Sequence, residues 1–333
     1  MLLLYLAKRL FYMVVVFLII SVLLFAIYQF IPGDPVLRFM DPEEQRLPPE
    51  AFEIIYNDIR ARLGLDRPVH IQYLRWMGNM LQGDFGMSLQ FSRPVNEVLR
   101  APVRVTLQMN LIIMVIVFLV SVPLGITSAV KKGGIYDNSI QTTTLLGFSL
   151  PIFILAILGV MIFAVWLGLT PVSGFGDPLF LIHNPDASAW EIFLDRLPFL
   201  ALPVGVLSFA QLAPLTRIVR VSMIDALSQD YVRTARAKGL REGSVIYRHA
   251  FRNSLIPFVT SLVGWLIGLL TGSIVIETIF SLGGMGRLLI NALQSLDYDL
   301  ALAIQTIFIL IALVGYLVVD FVYVLIDPRV RLD

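Results

Sequence analysis

Six stretches of about twenty or more mostly apolar residues recur along the chain, and no other feature limits its fold so tightly. A bilayer core of about 30 Å needs about 20 helical residues to cross it, since each residue rises about 1.5 Å. The stretches run from Leu10 to Ile31, Val105 to Val130, Ile140 to Leu169, Pro198 to Thr216, Leu255 to Ile276 and Leu300 to Ile326. Backbone amides in lipid must be satisfied internally, so each is expected to be a helix. The expected fold class is an all-α integral membrane protein with six transmembrane helices. With 57% hydrophobic and 15% charged residues and a mean hydropathy of +0.82, the chain has too little polar surface for a soluble domain. The first stretch follows Lys8 and Arg9, but it is too long for a secretion signal and ends in Ile31-Pro32-Gly33-Asp34-Pro35, not in a small-residue cleavage site. It reads as a retained helix.

Orientation follows from the basic residues of the connections, which favour the cytoplasmic side. Lys8, Arg9, Lys131 and Lys132 mark the amino terminus and the second connection. The fourth, Arg217 to Ser254, carries Arg217, Arg220, Arg233, Arg236, Lys238, Arg241, Arg248 and Arg252 against Asp225, Asp230 and Glu242. The third and fifth are mainly acidic. Both termini and the 217–254 loop are therefore expected inside. The formal net charge of +1 leaves no broad basic field, so nucleic acid is not an expected partner.

The first connection, Pro32 to Arg100, is expected outside and has its own helical pattern. Pro48-Pro49-Glu50 opens an amphipathic helix with Phe52, Ile55, Ile59 and Leu63 at helical spacing, stopped by Gly64. Pro68 opens a second, with Ile71, Leu74, Met77 and Leu81 on one face before Gly83. A small helical extracellular cap between the first two spans is the expectation.

The basic loop carries the segment Asp230-Tyr231-Val232-Arg233-Thr234-Ala235-Arg236-Ala237-Lys238-Gly239-Leu240. Asp230 fits an N-cap, and Gly239 the left-handed position after a helix end, with Lys238 in the last turn. Met223, Leu227, Tyr231 and Ala235 recur every four residues and form one expected apolar stripe. By physics alone this is either a docking helix or an amphipathic helix lying on membrane lipid.

Arg233 to Leu240, followed by Arg248-His249-Ala250-Phe251-Arg252-Asn253, closely resembles the coupling loop of binding-protein-dependent ABC importers in its peptide-permease form. The segment Ile31 to Pro35, Leu63-Gly64-Leu65-Asp66 with Pro68, and Gly83-Asp84-Phe85-Gly86 with Ser88 are similar to that family in the same order. So are Thr170-Pro171-Val172-Ser173-Gly174 and Asp327-Pro328-Arg329-Val330-Arg331. The resemblance covers almost the whole chain, to the first permease subunit of dipeptide, oligopeptide and nickel importers. It implies a prokaryotic plasma-membrane protein working with a second homologous permease subunit, two ABC ATPase subunits and an extracellular solute-binding protein. ATP and magnesium would sit on the ATPase subunits, with no cofactor bound by this chain. Asp230, Arg233, Thr234, Ala235, Lys238 and Gly239 become the ATPase-coupling residues. The general importer pattern has Glu-Ala-Ala and then Gly; this chain matches at Ala235 and Gly239 but carries Arg233 and Thr234 before them, and Arg252 where a proline stands. The implied organisation is residues 1–100 as the first helix plus cap, and 101–333 as a five-helix permease domain with the coupling loop at 217–254. Dipeptides or oligopeptides are the implied cargo; nickel chelate, glutathione and oligosaccharide are alternatives in the same machine.

Other motifs weigh less. Asp84-Phe85-Gly86 imitates a kinase magnesium motif and Ser281-Leu282-Gly283-Gly284 an ABC-ATPase signature, yet the chain has no Gly-Lys dipeptide and hence no phosphate loop. A non-catalytic subunit is expected. Gly264, Gly268 and Gly272 recur every four residues as a packing ridge, within the subunit or at the permease seam. Glu277 and Arg287 flank a glycine-rich segment as a candidate outer gate or docking edge. Asp320, inside a span, needs a partner, for which Arg217 or Arg220 is in reach; a proton relay is the rival role. His70, His183 and His249 form no ligand pattern, and there is no cysteine, so no metal site is expected. A secondary carrier or channel would call for paired intramembrane charges or an inverted repeat, and a membrane-anchored receptor would leave the coupling-like loop without a role.

Overall fold

The computed structural model describes residues 2–254, 264–265, 268–269 and 271–326. In chain order the helices are α1 (Leu2–Gln29), α2 (Pro35–Phe39), α3 (Pro49–Arg62), α4 (Val69–Leu81), α5 (Val95–Val98) and α6 (Arg100–Val130). They continue with α7 (Ile135–Ser149), α8 (Ile152–Gly159), a π-helical run over Val160–Trp166, α9 (Phe180–His183), α10 (Ala189–Leu227) and α11 (Asp230–Ala237). After α12 (Glu242–Ser244) and a second π-helical run (Val245–Phe251) come α13 (Ile274–Ile279), α14 (Met285–Gln294) and α15 (Tyr298–Ile326). Between α4 and α5 a short antiparallel pair sets Met87 opposite Pro94 and Ser88 opposite Arg93.

Among the described residues four helices are long and apolar enough to cross a membrane, or five if one bent pair counts as a span. That pair is α7 with α8 and its π-helical extension, bent by 100°, where the sequence suggested one helix from Ile140 to Leu169. Pro151 is the cause: its ring disfavours helical backbone at the preceding residue, and Leu150 is extended at φ −80°, ψ 135°. The stretch expected from Leu255 to Ile276 lies largely outside the described residues. α10 is far longer than the expected Pro198–Thr216, running for 39 residues, or about 58 Å at the usual rise, with Pro198, Pro203 and Pro214 inside it. Its start is fixed by a capping box in which Ser188 and Glu191 satisfy each other's backbone N–H. Arg217 and Arg220 therefore lie on helix, not loop.

The chain divides into two compact units. The first comprises residues up to Arg104 with Gly284–Val314. Its core joins Leu24, Phe25 and Tyr28 of α1 to Leu288, Leu289 and Ala292 of α14 and to Leu300–Ile304 of α15. Met285, Leu288, Leu289 and Ala292 share one helical face, which explains why α14 buries that side. In α3 the expected face is half-buried, and Pro49 and Gly64 bound it as expected. In α4 the face is rotated: Met77 and Met80 are buried while Leu74 and Leu81 stay exposed. Tyr73 and Trp76 decide this, since both rings pack on Phe25, with centroids 5.6 and 5.7 Å away, and the Tyr73 hydroxyl bonds Ser21 at 2.9 Å. Asp34 caps α2 by accepting from the Val36 N–H at 2.8 Å; the Tyr56 hydroxyl also donates to it, which raises the tyrosine pKa.

The second unit runs from Val105 to Gly283 with the described residues from Gly315 to Ile326. Val105, Met109, Ile113 and Val117 recur every four residues on α6 and bury against α10 and α8. Close approach is built in at Gly125, where an added Cβ would lie 2.6 Å from the Val219 Cβ and 2.9 Å from the Thr216 carbonyl oxygen.

Candidate functional site

The site lies in the second unit, where α10 gives way to α11. Ser228 ends α10, Gln229 is extended at φ −76°, ψ 153°, and α11 begins. Asp230 is therefore the first helical residue and not the N-cap. Its exposed carboxylate lies 3.4 Å from Arg233, a weak surface pair. One face of α11 docks on the chain itself: Val232 and Ala235 are buried among Met223 and Ala226 of α10, Ile126 and Ala129 of α6, and Val245 and Ala250 beyond α12. The expected stripe through Tyr231 is thus corrected. Tyr231 is exposed, because the break at Ser228–Gln229 resets the helical phase and brings Val232 inward.

Ala235 belongs to the subunit's own core and packs against this chain's own helices. Arg233, Thr234, Arg236, Ala237 and Lys238 form the outward face. Gly239 holds φ +74°, as its position after the helix end required. Its N–H donates to the Arg236 carbonyl at 2.9 Å and the Leu240 N–H to the Ala235 carbonyl at 3.4 Å, a Schellman cap. Arg236 then pairs with Glu242 at 2.7 Å, which holds the Glu242 carboxyl below its ordinary value.

A second feature fixes the base on which α11 rests. Asp137, in the first turn of α7, is almost wholly buried. Its two oxygens accept from Arg220 Nε at 2.7 Å and Nη2 at 2.6 Å, a bidentate pair. Ser128 of α6 also donates to this carboxylate, and the Gly133 N–H donates at 2.8 Å. One side chain thus ties α6, α7, their connection and α10 together. α11 is seated on α6 and α10 by its apolar face and keeps a polar outer surface.

The chain matches the family described as "Binding-protein-dependent transport system inner membrane component" over residues 121–332, and the family's N-terminal membrane-component model over residues 1–95. The chain belongs to this family. It is thus an inner-membrane transport component, multi-pass and non-catalytic, of a system that works with a binding protein. It is 35% identical over 328 residues to the oligopeptide transport system permease protein AppB of Bacillus subtilis (strain 168), covering 98% of this chain and 99% of that one. It is 38% identical over 344 residues to the dipeptide transport system permease protein DppB of Escherichia coli (strain K12), and 38% identical over 338 residues to the di/tripeptide transport system permease protein DppB of Pseudomonas aeruginosa (strain UCBPP-PA14). Each of these two alignments covers 98% of both chains.

The remaining sequence candidates are placed unevenly in this transport component. Gly264 is helical and exposed, Gly268 is helical, and the Leu269 carbonyl accepts from Asn110 Nδ2 at 2.8 Å. Gly272 is non-helical and lies before α13. Glu277 and Arg287 fall in different units. Glu277 is wholly buried and accepts from the Thr106 hydroxyl at 2.9 Å. Arg220, one of two cations expected to serve Asp320, is held by Asp137 instead; the Asp320 side chain and the segment Asp327 to Arg331 lie outside the described residues. Asp137 is the residue that sequence reading missed. Its only local signal is a lone acid four residues after Gly133 at the edge of an apolar stretch, and its partner is 83 positions away.

Proposed function

We propose that this transport component is one of two pore-forming permease subunits of an ATP-driven, binding-protein-dependent importer of dipeptides and oligopeptides. The names of the three relatives support the cargo, because their similarity extends over nearly the whole of both chains. The observation that carries the coupling role is the two-sidedness of α11: its apolar face is seated on the chain's own core while Arg233, Thr234 and Lys238 point outward. An ATPase subunit receives that outward face in a groove. Closure of the two ATPase subunits around ATP and magnesium then moves α11, and α10 and α6 follow because Asp137 ties them. A second homologous permease completes the pore, and an extracellular solute-binding protein delivers substrate.

In the prokaryotic plasma membrane this reading has six spans, the fifth being Leu255–Ile276, with both termini and the 217–254 segment cytoplasmic and the 32–100 segment as an outer cap. Residues 1–100 then form the first helix and cap, and 101–333 the permease domain. Gly264, Gly268 and Gly272 line the seam to the second permease, Glu277 and Arg287 serve the outer gate, and Asp320 is paired inside the bundle. Proteoliposomes holding the full complex should accumulate labelled dipeptide only with ATP and loaded binding protein. Uptake by this subunit and its permease partner alone, driven by an ion gradient, would identify a secondary carrier instead. The absence of cysteine permits the topology test: Gln45→Cys should react with an impermeant reagent in intact cells and Ser244→Cys should not.

A further inference from the structure

The first unit contains a cavity of about 570 Å³ bounded by α1, α3, α4 and the start of α15, within the range of about 300–1,000 Å³ usual for small-ligand sites. Its walls have three distinct chemistries. Tyr28, Trp76 and Tyr298 supply aromatic faces, with the Tyr28 and Tyr298 rings edge to face at 5.7 Å. Asp84 and Asp299 bring two carboxylates to the part of the wall formed by Gly86, where an added Cβ would lie 2.5 Å from Asp299 Oδ2. Arg75 brings a guanidinium to another part, beside Gly64, where an added Cβ would lie 3.0 Å from its Nη1. Among the described residues no ion pair joins Arg75 to either carboxylate, and neither carboxylate has a cation of its own.

Two acids on one wall, a guanidinium on another and apolar rings between them match one kind of solute. We infer that this cavity is a binding site for a small zwitterion of dipeptide size. Its ammonium sits between Asp84 and Asp299, its carboxylate on Arg75, and an apolar side chain lies against Trp76 and the tyrosines. An ammonium there relieves the repulsion of the two carboxylates, and the rings add cation–π attraction. A bidentate guanidinium–carboxylate contact selects the other end. The proposal deepens the peptide reading and rests on it for the choice of solute, but its test does not depend on transport.

The test uses the full complex without binding protein, in phosphatidylcholine nanodiscs, with alanyl-leucine as probe in equilibrium dialysis. Saturable binding is expected, weakened at least tenfold by N-acetylation or by C-terminal amidation of the probe on the unaltered protein. Arg75→Gln and Asp299→Asn should each weaken it comparably while the complex elutes intact on size exclusion. No saturable binding in a complex that imports the dipeptide with its binding protein would overturn this inference and leave the transport reading standing. Binding that ignores both blocked probes would overturn it as well. So would a site that responds only to added phosphatidylethanolamine, the other source of an ammonium beside an anion, with no competition from alanyl-leucine.

Discussion

Each compact unit is tied by a buried aspartate, and the two are satisfied in opposite ways. Asp137 in the second unit meets a cation, with both oxygens on Arg220. Asp297 in the first accepts from the Ser88 hydroxyl at 2.5 Å, the Gln90 N–H at 3.1 Å and, as cap of α15, the Leu300 N–H at 3.3 Å. Neutral donors suit a joint that only has to hold a loop against a helix start. A full ion pair concentrates more energy in one contact and is costly to break, because removing either partner strands the other charge. It stands at the root of the segment to which we assign motion, and the neutral anchor where we assign none.

The largest effect should come from Arg220→Ala, which leaves the Asp137 carboxylate buried without its cation and should cost about 3–5 kcal/mol. Thermal unfolding in detergent should show the loss, and Arg220→Ala with Asp137→Asn should recover part of it. No recovery would mean that the pair is not a unit. Asp297→Ala should cost less, about 2 kcal/mol, because it removes a helix cap and neutral hydrogen bonds and strands no charge. A loss equal to that of Arg220→Ala would erase the contrast between the anchors.

Gly239→Ala should cost about 1 kcal/mol, purely as backbone strain at φ +74°, since nothing lies within 4 Å of an added Cβ. Glu242→Gln should change stability least at neutral pH, its carboxylate being exposed. The folded-state pKa of Glu242 is depressed by Arg236, so its contribution is present above the ordinary value of 4.5 and is lost as pH falls through the lowered one. An acid titration of unfolding should therefore lose that part of its slope in the variant.

What the sequence made legible was local. The glycine stops after α3 and α11 follow from three consecutive residues each, Leu63-Gly64-Leu65 and Lys238-Gly239-Leu240, and both glycines adopt a left-handed turn, as expected at Gly239. The bend at Leu150-Pro151 was also written locally, but the apolar run on both sides of the proline hid it. What failed was long-range. The buried face of α4 depends on α1, which offers Phe25 and Ser21 to Tyr73 and Trp76. Asp137 and Arg220 meet only because α7 and α10 pack together, and no spacing rule joins residues so far apart. The α11 stripe was misphased by one break in the helix, enough to exchange Tyr231 for Val232.

The central claim is that α11 turns its polar face to an ATPase subunit and its apolar face to this chain. Because no cysteine is present, Thr234→Cys and Ala235→Cys can each be cross-linked in the reconstituted complex against a clean background. Thr234→Cys should cross-link to a cysteine placed in the ATPase groove, with a yield that changes between ATP-bound and nucleotide-free states, while Ala235→Cys should remain unreactive. Efficient cross-linking of Ala235→Cys with none from Thr234→Cys would contradict the account.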